Sequence, residues 1–197
     1  MIAVFDYGAG NLRSVMNTLA EVGAAHQLAE TAKELRAADK IVLPGVGHFW
    51  QMMRSLYAMR VRETLTELIR ASVPFLWICL GLQALFEASE EAPEVAGLGL
   101  FAGTVRRFPA GARVPHMGWN DLEIRRESRL LDGAGARPFL YFAHSYHAPV
   151  AGSTAAICTY EAPFTAVLDS GNIFGVQFHP EKSGPLGLKI MSNFANL

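Results

Sequence analysis

The sequence predicts an α/β fold in which a mainly parallel central sheet is flanked by helices, with antiparallel strands added in the second half. Two observations support this prediction. In the first half, short apolar runs alternate with segments of helical periodicity, and the connections between them are short. After about Glu91, strand-like segments follow one another between Gly, Pro and Asp residues, which is typical of hairpins. No linker, repeat or low-complexity segment separates the halves, so we expect one domain over residues 1–197.

The first half is predicted to contain four strands, at residues 2–5, 25–29, 40–43 and 74–78. Apolar residues at helical spacing predict a helix over residues 12–20. Thr31 and Glu34 fit a capping box that opens a short second helix. One or two helices are predicted within residues 49–72, and another over residues 80–88, directly after the fourth strand. The pair Pro44 and Gly45 is expected to end the third strand.

The second half is predicted to contain six strands, at residues 98–108, 121–125, 139–148, 155–161, 165–170 and 172–178. A single long helix over residues 186–194 follows them. In parallel α/β sheets, ligands bind at the carboxyl ends of the strands. The glycine-rich or cysteine-bearing turns after the first, third and fourth strands are therefore candidate positions for a site.

Composition excludes several classes of protein. With 17 Lys and Arg against 18 Asp and Glu, the chain has no basic field to attract nucleic acid, and 51 % apolar residues exclude a disordered chain. The longest apolar stretch, residues 73–86, is too short to span a bilayer, and no secretion signal is visible. Two cysteines do not make a disulfide framework. We therefore expect a cytoplasmic protein, whose low charged fraction of 18 % is compatible with an apolar partner surface.

Cys79 stands where a predicted buried strand turns directly into a helix. A helix N-terminus favours a thiolate and presents free backbone N–H groups to an oxyanion, so this position indicates a nucleophile. The alternative is a small buried hydrophobic side chain, as lone cysteines often are. Cys158, which lies within a strand-like run without a glycine turn, fits that alternative better.

His179 and Glu181 follow the last predicted strand. In extended chain, residues i and i+2 point to the same side, which would let Glu181 accept from one imidazole nitrogen while the other faces the cysteine. The alternative is a strand-end histidine beside a solvated glutamate. In the third candidate turn, residues 44–47, glycines on both sides of Val46 would let a peptide plane turn over and supply an oxyanion donor. The alternative there is a plain tight turn.

These motifs resemble those of the class I glutamine amidotransferases. The segments Cys-Leu-Gly-Leu-Gln at 79–83 and His-Pro-Glu at 179–181 are specific for that superfamily. More narrowly, the chain resembles the glutaminase subunits of imidazole glycerol phosphate synthase, in four segments that lie in the family's order. They are Asp-Tyr-Gly-Ala-Gly-Asn-Leu at 6–12, Pro-Gly-Val-Gly at 44–47, Pro-His-Met-Gly-Trp-Asn at 115–120 and His-Ser-Tyr-His at 144–147. The resemblance implies a flavodoxin-like fold.

The resemblance also implies a role for each matching residue. Cys79 would be the nucleophile, His179 the general acid and base, and Glu181 the group that orients the imidazole. The oxyanion hole would be formed by the N–H groups of Leu80 and a reoriented Val46 peptide. The remaining implied residues fall into two sets, glutamine contacts and partner contacts. The first set is Gly47, Gln83, Glu91, Ser145 and Tyr146, and the second is Trp119, Asn120, Tyr141 and Lys182.

By the same resemblance, the acceptor of the ammonia is a (β/α)₈-barrel cyclase that forms a heterodimer with this chain. The products would be imidazole glycerol phosphate and an aminoimidazole carboxamide ribonucleotide (AICAR), in histidine biosynthesis. The sequence departs from the family at Trp77, where a glycine usually stands two residues before the nucleophile. We expect a gap beside this side chain, opened by Ala84 or another small residue.

Three other functions are compatible with parts of the sequence. A glutaminase subunit for another acceptor, such as pyridoxal phosphate synthase, shares the Cys-His-Glu chemistry but not residues 6–12 and 115–120. A cysteine peptidase or chaperone-like hydrolase has a similar fold, but the Cys-x-Gly-x-Gln pattern favours amide substrates. A non-catalytic binding module is expected to lack part of the triad, and here all three residues are present.

A metal site would need His144 and His147 as ligands. They lie three residues apart in an extended-looking run, in which odd offsets face opposite sides, and no Cys or acidic residue stands between them. We therefore expect no metal and no cofactor.

Overall fold

The computed structural model describes all residues, Met1–Leu197, and confirms the α/β class. The first half contains β1 (Ile2–Phe5), α1 (Leu12–Glu21), β2 (His26–Ala29), α2 (Ala32–Arg36), β3 (Lys40–Gly45), α3 (Phe49–Ala58), α4 (Arg62–Arg70), β4 (Phe75–Cys79), α5 (Leu80–Ala84) and β5 (Phe86–Ser89). The second half contains β6 (Phe101–Arg107), β7 (His116–Asp121), β8 (Glu123–Ile124), β9 (Phe139–His144), β10 (Tyr146–His147), β11 (Thr154–Tyr160), β12 (Ala162–Ser170), β13 (Ile173–Val176) and α6 (Gly184–Ala195). Short 3-10 turns lie at Arg129–Leu131 and Pro180–Lys182.

The central sheet has eight strands in the order β2-β1-β3-β4-β13-β12-β11-β8. The first five are parallel, and the last three are joined by antiparallel pairing, as the hairpin spacing predicts. Neighbouring parallel strands end at the same edge of a sheet. The ends of β3, β4 and β13 are therefore brought together although they are far apart in sequence.

Helices cover both faces of this sheet, and the side chains of the parallel strands are buried on both sides. In β1, Ala3 and Phe5 pack with α2, α3, α4 and α5 on one face, whereas Ile2 and Val4 pack with α1 and α6 on the other. The predicted capping box of α2 is present, with Thr31 accepting from the N–H of Glu34. No helix has the length and apolar character needed to cross a bilayer.

In the first half, the predicted ends of one helix and one strand were wrong. The helix predicted over residues 80–88 ends at Ala84, because Phe86–Ser89 pairs with β6 in a separate three-stranded sheet. Tertiary pairing overrides helical periodicity there. The third strand continues through Pro44 and Gly45, which pair with β4. Pairing with β1 ends at Val42, so the missing N–H of Pro44 interrupts no ladder on that side.

The segment 116–121 forms a strand that the sequence did not predict, because glycine and polar residues interrupt its alternation. This strand, β7, pairs antiparallel with β9 in a two-stranded ribbon, in which Trp119 lies opposite Tyr141. The strand predicted over residues 139–148 is divided at Ser145 into β9 and β10, and β10 pairs with β6 instead. The division places Ser145 and Tyr146 beside the end of the central sheet.

Trp77 is fully buried in the core on the α3 and α5 face of the sheet, in the same cluster as Ala84. Its ring stacks on Phe75, with centroids 5.6 Å apart and planes inclined by 16°. The residue paired with Trp77 on β13 is Gly175, which has no side chain to compete for this face. The small neighbour that the structure places opposite Trp77 is thus this glycine.

Candidate active site

Cys79 occupies a sharp elbow where β4 passes into α5 without an intervening loop residue. Its backbone angles are φ +55° and ψ −109°, in a region that L-residues rarely adopt. Such a conformation costs on the order of 1–3 kcal/mol and persists only when the surrounding structure holds it. The sequence prediction of a strand-to-helix elbow at Cys79 is correct.

Two glycines hold this elbow. A Cβ at Gly81 would lie 2.5 Å from the carbonyl oxygen of Leu43, and a Cβ at Gly45 would lie 2.8 Å from the Cβ of Leu80 and clash with the Gly81 backbone. The end of β3 and the first turn of α5 are therefore in direct backbone contact. Because only glycine permits this approach, the position of α5 relative to β3 depends on both residues.

His179 and Glu181 contact one another as the sequence predicts, but the geometry differs from the extended chain expected there. β13 ends at Val176, and residues Pro180–Lys182 form a 3-10 turn. This turn brings Glu181 Oε1 to 2.9 Å from His179 Nδ1, with both side chains almost fully buried. Burial leaves the imidazole with one fixed partner on its Nδ1 side.

Burial by itself lowers the pKa of His179, but the negative charge and hydrogen bonding of Cys79 and Glu181 outweigh it and raise the pKa to about 10. The ring is therefore an imidazolium at neutral pH. A positively charged imidazole beside a cysteine sulfur stabilises the thiolate, which is the nucleophilic form. Cys158 contrasts with this arrangement, because burial raises the pKa of its thiol to about 12.

Gln177 belongs to this site and was not predicted. It is fully buried, and its Nε2 donates to Cys79 Sγ at 3.6 Å. Its Oε1 accepts from Gln83 Nε2 at 3.1 Å, and the same nitrogen of Gln83 donates to the Tyr146 carbonyl at 2.7 Å. The available signal was a polar residue inside an apolar run of a strand that is buried on both faces.

A cavity of about 360 Å³ opens in front of the cysteine sulfur. The structure brings nine of the predicted residues to its wall, namely Val46, Gly47, Cys79, Leu80, Gln83, Glu91, Ser145, Tyr146 and His179. Glu181 lies behind His179, and the four predicted partner contacts lie outside the cavity. His48, Arg107, Ala143 and His144 also line it and were not predicted.

Glu91 has a structural task besides lining the cavity. Its Oε2 accepts from the backbone N–H of Phe49 at 2.9 Å, and its Oε1 lies 3.3 Å from His48 Nδ1. It thereby ties down the start of α3, directly after the loop that contains Val46 and Gly47. That loop is held by Gly45 at one end and by Glu91 at the other, and Val46 between them is 38 % exposed.

The predicted partner residues lie around the ribbon of β7 and β9. Trp119 stacks on Phe139 with centroids 5.9 Å apart, and Lys182 Nζ lies 5.8 Å from the centre of the Tyr141 ring. The backbone of Tyr141 reaches the catalytic turn, because its carbonyl accepts from the N–H of His179 at 2.9 Å and its N–H donates to Ser183 Oγ at 3.0 Å.

Comparison with known proteins decides the family of this chain. The family model described as glutamine amidotransferase class-I matches residues 3–196. The chain belongs to this family. No group of three or more His, Cys, Asp and Glu side chains in this amidotransferase is arranged to hold a metal ion.

Relatives of this amidotransferase align over the whole chain. Proteins named imidazole glycerol phosphate synthase subunit HisH are 48 % identical in Methanothermobacter thermautotrophicus, over 100 % of this chain and 98 % of the relative, and 45 % identical in Desulfitobacterium hafniense strain Y51, over 98 % and 93 %. A crystal structure of a glutamine amidotransferase superimposes with a TM-score of 0.78 at 17 % identity, over 100 % of this chain and 99 % of the other. That likeness supports the fold alone.

The glycine contacts predict a selective loss of function. Replacing Gly81 by alanine places a methyl group against the Leu43 carbonyl, so α5 must move away from β3. We expect reaction of Cys79 with a glutamine-derived affinity label to slow by at least tenfold and the melting temperature to fall. Gly152→Ala is the matched control, because Gly152 has nothing within 4 Å and no positive φ. Equal labelling of both variants would contradict this view of the elbow.

The buried histidines predict how stability depends on pH. Burial lowers the pKa of His116 to about 4 and that of His144 to about 3, below the ordinary 6.5. As the pH falls from 6.5 to 4, these histidines bind protons in the unfolded chain but stay neutral in the folded chain. The free energy of unfolding therefore falls by up to about 1.4 kcal/mol per pH unit for each group. His179 acts in the opposite sense: its contribution is fully present below pH 6.5 and is lost as the pH rises from 6.5 to about 10.

Urea denaturation at pH 7, 5.5 and 4.5 measures this dependence. The slope should be shallower in His116→Asn than in the native sequence, because the variant lacks one group whose pKa is lowered by burial. Identical slopes in the two proteins would show that folding does not lower the pKa of His116.

Proposed function

We propose that this protein hydrolyses glutamine to glutamate and ammonia through Cys79, His179 and Glu181. The observation that carries the proposal is the buried arrangement of a histidine, held by a carboxylate at 2.9 Å, beside a cysteine on a strained elbow at the wall of a cavity of about 360 Å³. Membership of the class-I glutamine amidotransferases and relatives of 45–48 % identity that are named as HisH subunits support it.

The reaction proceeds in two halves. The Cys79 thiolate attacks the side-chain amide carbon of glutamine, and His179 donates its proton to the nitrogen as the C–N bond breaks. Ammonia leaves and a thioester remains. Water then gives a proton to His179 and attacks the thioester, which releases glutamate and regenerates the thiolate. This chemistry draws only on side chains, backbone N–H groups and water.

The developing oxyanion is stabilised by backbone N–H groups of Leu80 and of a reoriented Val46 peptide. Leu80 supplies its N–H at the start of α5, and Val46 lies in the loop that Gly45 and Glu91 hold at its two ends. One such donor is worth on the order of 3 kcal/mol, so a misplaced Val46 peptide would reduce turnover by about two to three decades.

The substrate is held by Gly47, Gln83, Glu91 and the backbone N–H groups of Ser145 and Tyr146, with the last two facing its carboxylate. The amide nitrogen of Gln83 already donates to Tyr146 and Gln177, so its Oε1 is the atom left to accept from glutamine. Glu91 contributes through the loop it holds as well as through its charge.

The protein is the glutaminase subunit of a multi-subunit enzyme, and we propose that its partner is a (β/α)₈-barrel cyclase in a cytoplasmic heterodimer. The cyclase would use the ammonia to form imidazole glycerol phosphate and AICAR in histidine biosynthesis. The relatives' names, which describe a synthase subunit, support this assignment. An exposed apolar patch on the ribbon supports a docking face there, with Met117 65 %, Trp119 47 % and Phe139 54 % exposed. Trp119, Asn120, Tyr141 and Lys182 are the proposed contacts.

Ammonia that escaped into water would be protonated and would lose its nucleophilicity, so it should pass to the partner by an enclosed route. The same argument favours coupling of glutaminase turnover to an occupied partner, with the Val46 peptide as the switch. Tyr141 supports this coupling, since it lies on the proposed docking ribbon and its carbonyl accepts from the backbone of His179.

The decisive experiment compares two cysteine variants in the complex with the cyclase. Cys79→Ala should abolish glutamine hydrolysis and leave synthesis from added ammonium salts intact, because the cyclase site lies in the other subunit. Cys158→Ala, in the buried and unreactive thiol, should retain both activities. Glutaminase turnover should also rise when the cyclase and its ligand are added to the native chain. Hydrolysis by Cys79→Ala would contradict the proposed nucleophile, and equal turnover with and without cyclase would contradict the coupling.

A further inference from the structure

Two buried histidines outside the proposed triad are linked in a continuous hydrogen-bonded chain. Asn120 Nδ2 lies 3.5 Å from His116 Nε2, His116 Nδ1 lies 3.1 Å from His144 Nε2, and His144 Nδ1 lies 2.8 Å from the Tyr146 carbonyl oxygen. Asn120, His116 and His144 all lie on the ribbon of β7 and β9, called the docking ribbon below, and His144 also lines the cavity. The proposed mechanism gives neither histidine a task.

The direction of this chain follows from its last member. A carbonyl oxygen only accepts, so His144 Nδ1 carries the proton, and the Nε2 of a neutral ring must then accept from His116 Nδ1. His116 Nε2 in turn accepts from the Asn120 amide. Burial keeps both rings neutral, because it lowers the pKa of His116 to about 4 and that of His144 to about 3. Both histidines are thus held in the tautomer that carries the proton on Nδ1.

Aromatic side chains fix the planes of both rings. His116 stacks on Tyr160, with centroids 4.1 Å apart and planes inclined by 14°, and on Phe142 at 5.0 Å. His144 packs against Phe164 at 5.0 Å. Rings that are packed on several sides rotate little, so the hydrogen-bonded chain has one geometry.

The series of hydrogen bonds ends at the carbonyl of Tyr146, which accepts a second hydrogen bond from Gln83 Nε2 at 2.7 Å. Both lone pairs of this oxygen are therefore occupied. A carbonyl held by two donors fixes the residue that carries it, and Tyr146 is half of the backbone segment proposed to hold the glutamine carboxylate.

We propose that His116 and His144 are positioning residues for glutamine, which hold the Ser145–Tyr146 backbone in place and connect it to Asn120 on the docking ribbon. The inference rests on the proposed function. It adds a second connection from the docking ribbon to the cavity, made through side chains and separate from the backbone link between Tyr141 and His179. Neither histidine exchanges a proton with the substrate.

The test uses a matched pair of variants in the complex with the cyclase. His116→Leu removes the N–H group that donates to His144. His116→Asn keeps a donor, because the amide nitrogen of asparagine takes the position of Nδ1 in the native ring. We expect His116→Leu to raise KM for glutamine about tenfold with kcat changed less than threefold, and His116→Asn to restore most of the loss. Tenfold is the effect of one buried hydrogen bond.

Labelling of Cys79 separates positioning from general damage. Iodoacetamide has no α-carboxylate, so its rate of reaction with Cys79 should be the same in His116→Leu as in the native protein. Inactivation of the variant by a glutamine-derived affinity label should be about tenfold slower. If Cys79 of His116→Leu reacted more slowly with both reagents to the same extent, or if the KM for glutamine were unchanged, the proposal would be overturned. A native complex that the glutamine-derived label does not modify would instead overturn the proposed function.

A spectroscopic measurement keeps the proposal testable if the variants do not fold. Long-range ¹H–¹⁵N spectra of the native full chain, labelled at histidine, report the tautomer of each ring. At pH 7 we expect the rings assigned to His116 and His144 to be neutral and to carry their proton on Nδ1. Protonation on Nε2, or a charged ring at either position, would refute the proposed series of hydrogen bonds from Asn120 to Tyr146.

Discussion

The close backbone contact between the end of β3 and the first turn of α5 is the constraint on which the rest of the site depends. Gly45 and Gly81 make it possible, because a methyl group on either would strike backbone or the base of a side chain. The contact presses α5 onto the sheet, which forces Cys79 into its positive φ. The same contact brings the Val46 loop beside the Leu80 N–H. The nucleophile and both proposed oxyanion donors therefore take their places from one packing interaction.

A second close contact places the other half of the triad. A Cβ at Gly187 would clash with the Pro180 carbonyl, so α6 packs directly against the turn that carries Glu181. Ser183 reinforces the turn by donating to the His179 carbonyl at 2.7 Å. β4 and β13 are parallel neighbours, so residues 100 positions apart in the chain meet at one edge of the sheet. The strained elbow and the tight turn face each other because of this topology.

Much of the fold and the site was predictable because the signals are local. Short apolar runs that alternate with helical segments identified the parallel strands, and the capping box at Thr31 identified the start of α2. Cys79, His179 and Glu181 were recognisable as a set, and the structure brings them together. Their chemical roles stay predictions. The contact between His179 and Glu181 was expected for the wrong reason, since a turn and not an extended chain produces it.

What the sequence did not reveal depends on tertiary contacts. Gln177 is one polar residue in an apolar strand, and only the fold shows that its amide reaches the cysteine sulfur. His116 and His144 are 28 residues apart, and the register of β7 with β9 is what puts them opposite each other. The strand β7 itself was missed, because its segment alternates poorly. Each of these features is a buried polar contact, for which local periodicity contains no signal.

The ribbon of β7 and β9, which includes the strand missed by the sequence prediction, combines an exposed apolar surface with a buried polar pair. Its outward side chains, Trp119 and Phe139, leave apolar surface exposed, whereas its inward residues His116 and His144 are buried. The two sets belong to the same pair of strands, so in the proposed complex a partner that displaced Trp119 and Phe139 would strain the hydrogen bonds of His116 and His144. Buried hydrogen bonds are costly to break and directional, so a small shift of the ribbon changes the cavity wall. The proposed coupling between docking and glutamine binding would then require no movement of the central sheet.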